Sequence, residues 1–103
     1  GVGGKMKHFY TYILASDRNG TIYIGMTGNL EQRLNTHKQH LIESFTSKYN
    51  VVKLVHLEIF ATPMEAIHRE KQLKKWNRIS KIRLIEETNP YWDDISVNDD
   101  FEF

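Results

Sequence analysis

Residues 10–37 read YTYILASDRNGTIYIGMTGNLEQRLNTH, and this stretch decides the fold. Residues 9–15 and 21–25 are rich in β-branched and aromatic residues, which are common in strands. Between them lies a cluster of turn-forming residues that ends in Asn19-Gly20. Both of these residues tolerate positive φ, so the stretch predicts an antiparallel hairpin.

The hairpin is expected to carry several phenols on one face. Successive side chains of a strand point to opposite faces, and directly paired residues share a face. If the loop has an even length, one face of the hairpin carries Tyr10, Tyr12, Tyr23 and Gly25. Because Gly25 has no side chain, we expect a bare patch beside the phenols, where a ligand could approach the backbone.

A helix is expected directly after the hairpin. Asn29 is a good N-cap, and Gln32 stands three residues later, as in a capping box. An apolar stripe about three turns long follows at helical spacing. Its members are Leu30, Leu34 and Leu41.

Two polar residues of this helix are expected to point towards the sheet. At helical spacing, His37 falls in the middle of the apolar stripe and Arg33 at its edge. Taken alone, the pattern is also that of a buried, hydrogen-bonded histidine and an arginine whose stem covers apolar surface. The residues by themselves leave a structural and a functional interpretation open.

The remaining elements complete a small mixed fold. Residues 51–60 predict a third strand, after a helix end and loop over residues 38–50. Thr62-Pro63-Met64-Glu65 predicts the start of a helix that runs to about Trp76, and another helix is expected from about Ser80 to Glu87. The sequence therefore predicts an α+β (mixed α/β) fold, with a three-stranded antiparallel sheet flanked by about three helices.

The second predicted helix carries a carboxylate on its inward side. Ala66, Ile67 and Leu73 define that side, and Glu70 falls inside the stripe. A carboxylate in such a position is costly unless it is paired or binds a metal. A structural salt bridge, for example with Arg33, and a metal site are both open on this evidence.

Composition excludes several classes of protein. A chain of 103 residues with 40% hydrophobic residues is of the size of one globular domain. There is no cysteine, so disulfides and cysteine-based zinc sites are excluded. No apolar run approaches the ~18 residues of a membrane span. No secretory signal is visible, which favours the cytoplasm.

Charge is divided unevenly along the chain. All 14 Lys and Arg lie within residues 1–85, whereas seven of the 13 acidic residues follow Ile85. A basic body of this kind predicts a polyanionic partner, although charged runs are often only solvated helix faces. The candidate residues for nucleic-acid binding are Lys71, Lys74, Lys75, Arg78 and Lys81.

The same residues resemble a known family of nucleases. Tyr23-Ile24-Gly25 matches the second motif of the GIY-YIG endonuclease domain, and Tyr10-Thr11-Tyr12 matches the first motif in its final tyrosine only. The family's arginine, histidine, glutamate and asparagine positions correspond to Arg33, His37, Glu70 and Asn89. The resemblance covers residues 9–93. It is closest to a small single-domain bacterial branch related to the nuclease domain of the excision-repair incision subunit.

The resemblance implies metal-dependent hydrolysis of nucleic-acid phosphodiesters. DNA is the expected substrate, and DNA repair is the expected process. One Mg²⁺ or Mn²⁺ ion would be held by Glu70, since such ions keep much of their water shell. The implied roles are Tyr12 as general base, Tyr23 orienting water or phosphate, Arg33 stabilising charge, His37 supporting the base and Asn89 bracing the site.

The expected domain organisation is simple. Residues 1–8 form a flexible lead, residues 9–95 the nuclease-like domain, and residues 96–103 an acidic, solubilising tail. No second domain that would select a site is visible, so we expect specificity to be low or to be supplied by a protein partner. The alternative function is a catalytically silent nucleic-acid-binding module, which would explain the basic surface equally well.

Overall fold

The computed structural model describes residues 8–18, 20–39 and 53–97, apart from the side chains of residues 35–39 and 97. The expected N-terminal lead, the loop after Lys38 and the acidic tail therefore lie wholly or mostly outside the described residues. The side chain of His37 lies outside them as well.

The described chain contains three strands, three α-helices and one short 3₁₀ helix. In order they are β1 (Phe9–Ala15), β2 (Ile22–Thr27), α1 (Leu30–Gln39), β3 (Lys53–Phe60), α2 (Pro63–Lys75), α3 (Arg78–Thr88) and η1 (Ile95–Val97). The strands form one antiparallel sheet in the order β2-β1-β3. The predicted α+β fold is confirmed. None of the helices within the described ranges is long and apolar enough to cross a membrane.

Strand register gathers the phenols on one face of the sheet. Tyr12 of the central strand pairs with Gly25 on one side and with Leu57 on the other. Tyr23 pairs with Leu14, two residues further along, so its side chain lies on the same face. This tyrosine face carries Tyr10, Tyr12, Leu14, Tyr23 and Gly25, as the alternation predicted.

Each face of the sheet has its own hydrophobic core. On the tyrosine face, Leu30 and Leu34 of α1 pack with Tyr12, Leu14 and Leu54. On the opposite face, residues of α2 and α3 pack against β1 and β3 together with a buried tryptophan. The fully buried members of this second core are Ile13, Ala15, Val55, Leu73, Ile85 and Trp92.

A bulge in β3 is held by a buried asparagine. Ile13 pairs with His56 and Leu14 pairs with Leu54, so Val55 is an extra residue on the β3 side. Asn89, the C-cap of α3, donates from Nδ2 to the Val55 carbonyl at 3.1 Å. It also exchanges two hydrogen bonds with the backbone of Asp93. One side chain thus ties β3 to the chain that follows α3.

Helix α2 is attached to both β1 and β3. The Thr11 hydroxyl donates to the Ala66 carbonyl at 2.8 Å, in a buried position. Arg69 donates twice to the Glu58 carboxylate, at 2.8 and 3.1 Å, and His56 lies 2.8 Å from the same carboxylate. These contacts determine how the helix that bears Glu70 lies across the sheet.

Helix α3 begins earlier than its sequence suggested. We predicted a start at about Ser80, whereas the helix begins at Arg78. The reason is Asn77, whose side chain accepts a hydrogen bond from the Ser80 amide at 2.8 Å and so caps the first turn. By contrast, α2 begins as predicted, with Thr62 as its cap and Pro63 at its first position.

Replacing Asn89 tests its bracing role. Asn89→Ala should lower the free energy of unfolding by about 1–3 kcal/mol, because buried backbone groups lose their partners. Urea unfolding measures this loss. Asn77→Ala removes an exposed capping bond at the other end of the same helix, and it should cost less. An equal cost for the two variants would show that Asn89 does not brace the fold.

Acid should weaken the contact between β3 and α2. Partial burial alone would raise the pKa of the Glu58 carboxyl, but hydrogen bonds from Arg69 and His56 outweigh it and hold the pKa below its usual 4.5. The ionised carboxylate therefore stabilises the folded state at pH values above 4.5. This contribution to stability is lost as the pH falls through the lowered pKa of Glu58.

Urea unfolding from neutral pH down to about pH 3 checks this expectation. Glu58→Gln should be less stable than the wild type at neutral pH and should lose less stability on acidification. Glu87→Gln removes an exposed carboxylate of α3 and is the matched control. Parallel acid profiles for the wild type and Glu58→Gln would contradict the assignment.

Candidate active site

The phenol of Tyr12 lies directly over Gly25. A Cβ atom added at Gly25 would come within 2.6 Å of the Tyr12 hydroxyl and 2.7 Å of its Cζ. Tyr12 is only 1% exposed. The expected bare patch beside the phenols is therefore wrong. The space above the glycine is filled by the neighbouring ring, which could not lie there beside a larger residue.

Tyr23 lies beside Tyr12 on the same face. Their ring centroids are 6.4 Å apart, and the ring planes are tilted by 34°. The Tyr23 Cε1 atom would lie 3.1 Å from the same added Cβ at Gly25. Tyr23 is half-buried where Tyr12 is fully buried. The two phenols thus form a pair of which Tyr23 is the more accessible.

Arg33 is exposed, which corrects the expectation that it points towards the sheet. Its neighbour Leu34 enters the core, whereas Arg33 lies at the edge of the apolar stripe and stays accessible to solvent. Arg33 lines a polar cleft of about 270 Å³ at the start of α1, together with Thr27, Asn29 and Gln32.

Sequence reasoning missed these cleft residues as part of a site. Asn29 and Gln32 were assigned only to capping, and the Asn29 side chain does accept from the Gln32 amide at 3.1 Å. Thr27 holds the turn between β2 and α1, since its hydroxyl accepts from the Asn29 amide at 3.0 Å. The signal was their position at a helix start, where the helix dipole favours an anion.

Glu70 lies on α2 with its side chain 19% exposed. Its ion-pair partner is Lys74, one turn later at 3.1 Å, and not Arg33, the example suggested by the sequence. One half-buried carboxylate suits an ion that takes its remaining ligands from water and phosphate. Among the side chains that the structure describes, which do not include that of His37, no cluster of three or more His, Asp or Glu could hold a metal ion.

The pKa of Tyr12 shows which charges meet at its hydroxyl. Burial raises this pKa well above that of an ordinary phenol, and the neighbouring Tyr23 raises it further. The Arg33 guanidinium lowers it, and the Glu70 carboxylate raises it. Side chains from β1, β2, α1 and α2 therefore act on one hydroxyl group, although Glu70 belongs to a helix on the opposite face of the sheet.

The other predicted site residues lie elsewhere or are committed to other contacts. Asn89 bonds to Val55 and Asp93 rather than to Tyr12. Among the basic candidates, Lys74 pairs with Glu70, and Arg78 donates to the Gly20 carbonyl at 2.7 Å. Lys71 and Lys75 are exposed, whereas Lys81 is half-buried.

Comparison with known proteins agrees with this architecture. The family model described as the GIY-YIG catalytic domain matches residues 8–83. A UPF0213 protein of Bacillus licheniformis is 42% identical over 78 residues, which cover 76% of this chain and 79% of that protein. A UPF0213 protein of Syntrophus aciditrophicus is 40% identical over 87 residues, which cover 82% and 97%.

A solved structure is similar as well. The solution NMR structure of a UPF0213 protein from Bacillus halodurans matches with a TM-score of 0.53 and 25% identity, over 88% of this chain and 97% of that one. The fold and the sequence match therefore define the class of protein, a small α+β domain of a nuclease family. The chain belongs to the GIY-YIG family.

The contact between Tyr12 and Gly25 can be tested by adding one methyl group. Gly25→Ala should lower the free energy of unfolding by about 1–3 kcal/mol, because the buried phenol has no room to move aside. In a Tyr12→Ala background the same change should cost less, since both close atoms, the hydroxyl oxygen and Cζ, are then absent. Urea unfolding of the four proteins measures the coupling. Additive costs would contradict the proposed contact.

Proposed function

We propose that this chain is a divalent-metal-dependent endonuclease that hydrolyses phosphodiester bonds of nucleic acid, with DNA as the expected substrate. Membership of the GIY-YIG nuclease family supports the class of reaction. The observation that carries the proposal is the pair of phenols, Tyr12 and Tyr23, that meet over Gly25, with Arg33 and Glu70 near enough to influence the pKa of Tyr12. A domain that only packed its core would not need these groups together.

In this proposal Arg33 binds the scissile phosphate. The cleft beside it is polar, accessible and adjacent to the start of α1, where backbone amides and the helix dipole favour an anion. A guanidinium can donate two parallel hydrogen bonds to phosphate oxygens. As water attacks phosphorus and the bond to the leaving sugar oxygen breaks, Arg33 would stabilise the negative charge that develops.

The phenols would orient the attacking water. A phenol is protonated at neutral pH, and burial raises the pKa of Tyr12 further, so its first role is to donate a hydrogen bond. To accept a proton from water as general base, Tyr12 needs nearby positive charge, and Arg33 supplies some. Tyr23, the more accessible phenol, is in the better position to contact water or phosphate directly.

Glu70 is the residue that would hold the metal ion. Its carboxylate is half-buried and influences the pKa of Tyr12, and Lys74, its ion-pair partner within the described residues, would have to release it. An ion bound there would supply positive charge to the phosphate and the leaving oxygen. The choice between Mg²⁺ and Mn²⁺, the DNA-repair setting and the cytoplasmic location remain predictions from the sequence.

A nucleic-acid-binding module without catalytic activity is the second candidate function. The burial of Tyr12 and the pairing of Glu70 with Lys74 describe a site in which neither group is ready for chemistry. Such a domain would bind nucleic acid through its basic surface without cutting it. Cleavage assays separate the two candidates directly.

Cleavage of labelled single-stranded, duplex and branched DNA with Mg²⁺ or Mn²⁺ tests the proposal. Tyr12→Phe and Arg33→Ala should each lower the rate by at least ~10²-fold, the usual scale for losing a base or a charge-stabilising group. Glu70→Gln should abolish cleavage and also the effect of Mn²⁺ on backbone amide signals near Tyr12 and Arg33.

Each variant has a matched control on the exposed surface. Tyr91→Phe, Arg83→Ala and Glu87→Gln make the same chemical changes at exposed positions and should cut like the wild type. Wild-type rates for Tyr12→Phe would refute its role in the reaction. If the wild-type protein binds DNA but cuts none of the substrates with either metal, the silent module is the correct assignment.

A further inference from the structure

A shallow groove runs along the outward side of α2, away from the candidate active site. Its volume is about 380 Å³, at the lower end of the range of about 300–1,000 Å³ that is usual for small-ligand sites. The residues that line it are His68, Lys71, Gln72, Lys75 and Trp76, none of them acidic. The groove therefore combines an aromatic side chain with positive charge.

The indole of Trp76 is held in place by the core and by an arginine. It is half-buried and packs against the core on the α2 side of the sheet. The Arg69 guanidinium lies over the ring, with Cζ 5.2 Å from the ring centroid. Arg69 is itself bound to Glu58, and it donates to Gln72 at 2.9 Å. A ring supported in this way gives up little freedom when a ligand stacks on it.

The positive charge of the groove is available to a ligand. Lys71 and Lys75 are four residues apart, so they lie on the same side of the helix. Both are exposed, and neither forms an ion pair with any residue in the described ranges. Lys74 and Arg78 are engaged by Glu70 and the Gly20 carbonyl, so they contribute less here.

We propose that this groove is a subsite for an unpaired nucleobase of the nucleic acid that the enzyme cleaves. The base would stack on Trp76, while Lys71 and Lys75 would contact the phosphates on either side of it. A base within a duplex has both faces covered by its neighbours, so this contact requires a single-stranded segment. The statement about the substrate rests on the proposed nuclease function, whereas the binding itself does not.

The position of the groove fixes where that segment lies relative to the cut. Successive residues of a helix are rotated by about 100°, so the outward side that bears Lys75 is turned away from Glu70. A helix with its side chains is about 10 Å across. The unpaired base would therefore lie about one helix width from Glu70, so that it flanks the cleavage point and is not itself the site of cleavage.

Tryptophan fluorescence tests the subsite in the absence of divalent metal. The chain has two tryptophans, and Trp92 is fully buried, so a bound base can reach only Trp76. Adding a short single-stranded oligonucleotide in EDTA should quench the emission. Trp76→Phe should remove the quenching. Trp76→Ala should weaken binding of the labelled strand, measured by anisotropy, by about tenfold.

Trp76 contacts the core, so replacing it could disturb the fold. Two further variants test the subsite and leave Trp76 in place. Lys71→Gln and Lys75→Gln should each weaken binding and reduce its dependence on salt. Lys53→Gln is the matched control, because Lys53 does not line the groove and pairs with the exposed Asp17 of the hairpin turn. Circular dichroism confirms that each variant is folded.

Three outcomes would overturn the subsite. The first is an absence of quenching by single strands. The second is equal quenching by a blunt duplex, which binds through phosphates alone. The third is equal quenching by oligoglutamate, which would make the groove a site for acidic peptides. Failure of the nuclease proposal looks different, since a protein that cuts nothing would still show quenching by single strands alone if the subsite exists.

Discussion

Tyr12 and Gly25 pair across the first two strands, and the missing side chain of the glycine leaves the space in which the Tyr12 ring lies. The candidate site depends on this contact. It buries the Tyr12 hydroxyl on the sheet, next to Tyr23 and within range of the charges of Arg33 and Glu70. A side chain at Gly25 would push the phenol away and separate the groups that converge on it.

The helix that bears Glu70 is held to the sheet by contacts that lie outside the site. A buried hydrogen bond joins Thr11 to the backbone of Ala66, and the pair between Glu58 and Arg69 joins the next turn to β3. Arg69 also lies over Trp76. One arginine thus links the orientation of the carboxylate-bearing helix to the groove on its outer side.

Much of the fold could be predicted because it depends on local periodicity. Strand alternation gave the shared face of the phenols, and the helix starts followed from capping residues. Longer-range packing was not visible in the sequence. Three features depend on how the elements lie against one another. They are the direction of the Tyr12 ring over Gly25, the exposure of Arg33 and the hydrogen bond from Asn89 to β3. The pair between Lys74 and Glu70 could have been predicted from its four-residue spacing.

The bulge at Val55 also affects how the sheet meets other molecules. β3 is an edge strand, and a regular edge offers unpaired amides and carbonyls to the strands of other chains. Here the Val55 carbonyl is taken by Asn89, and the Leu54 amide donates to Asp94 at 3.2 Å. At the bulge the edge therefore has an irregular course and two of its backbone groups are already bonded, which hinders the pairing of another strand at this point.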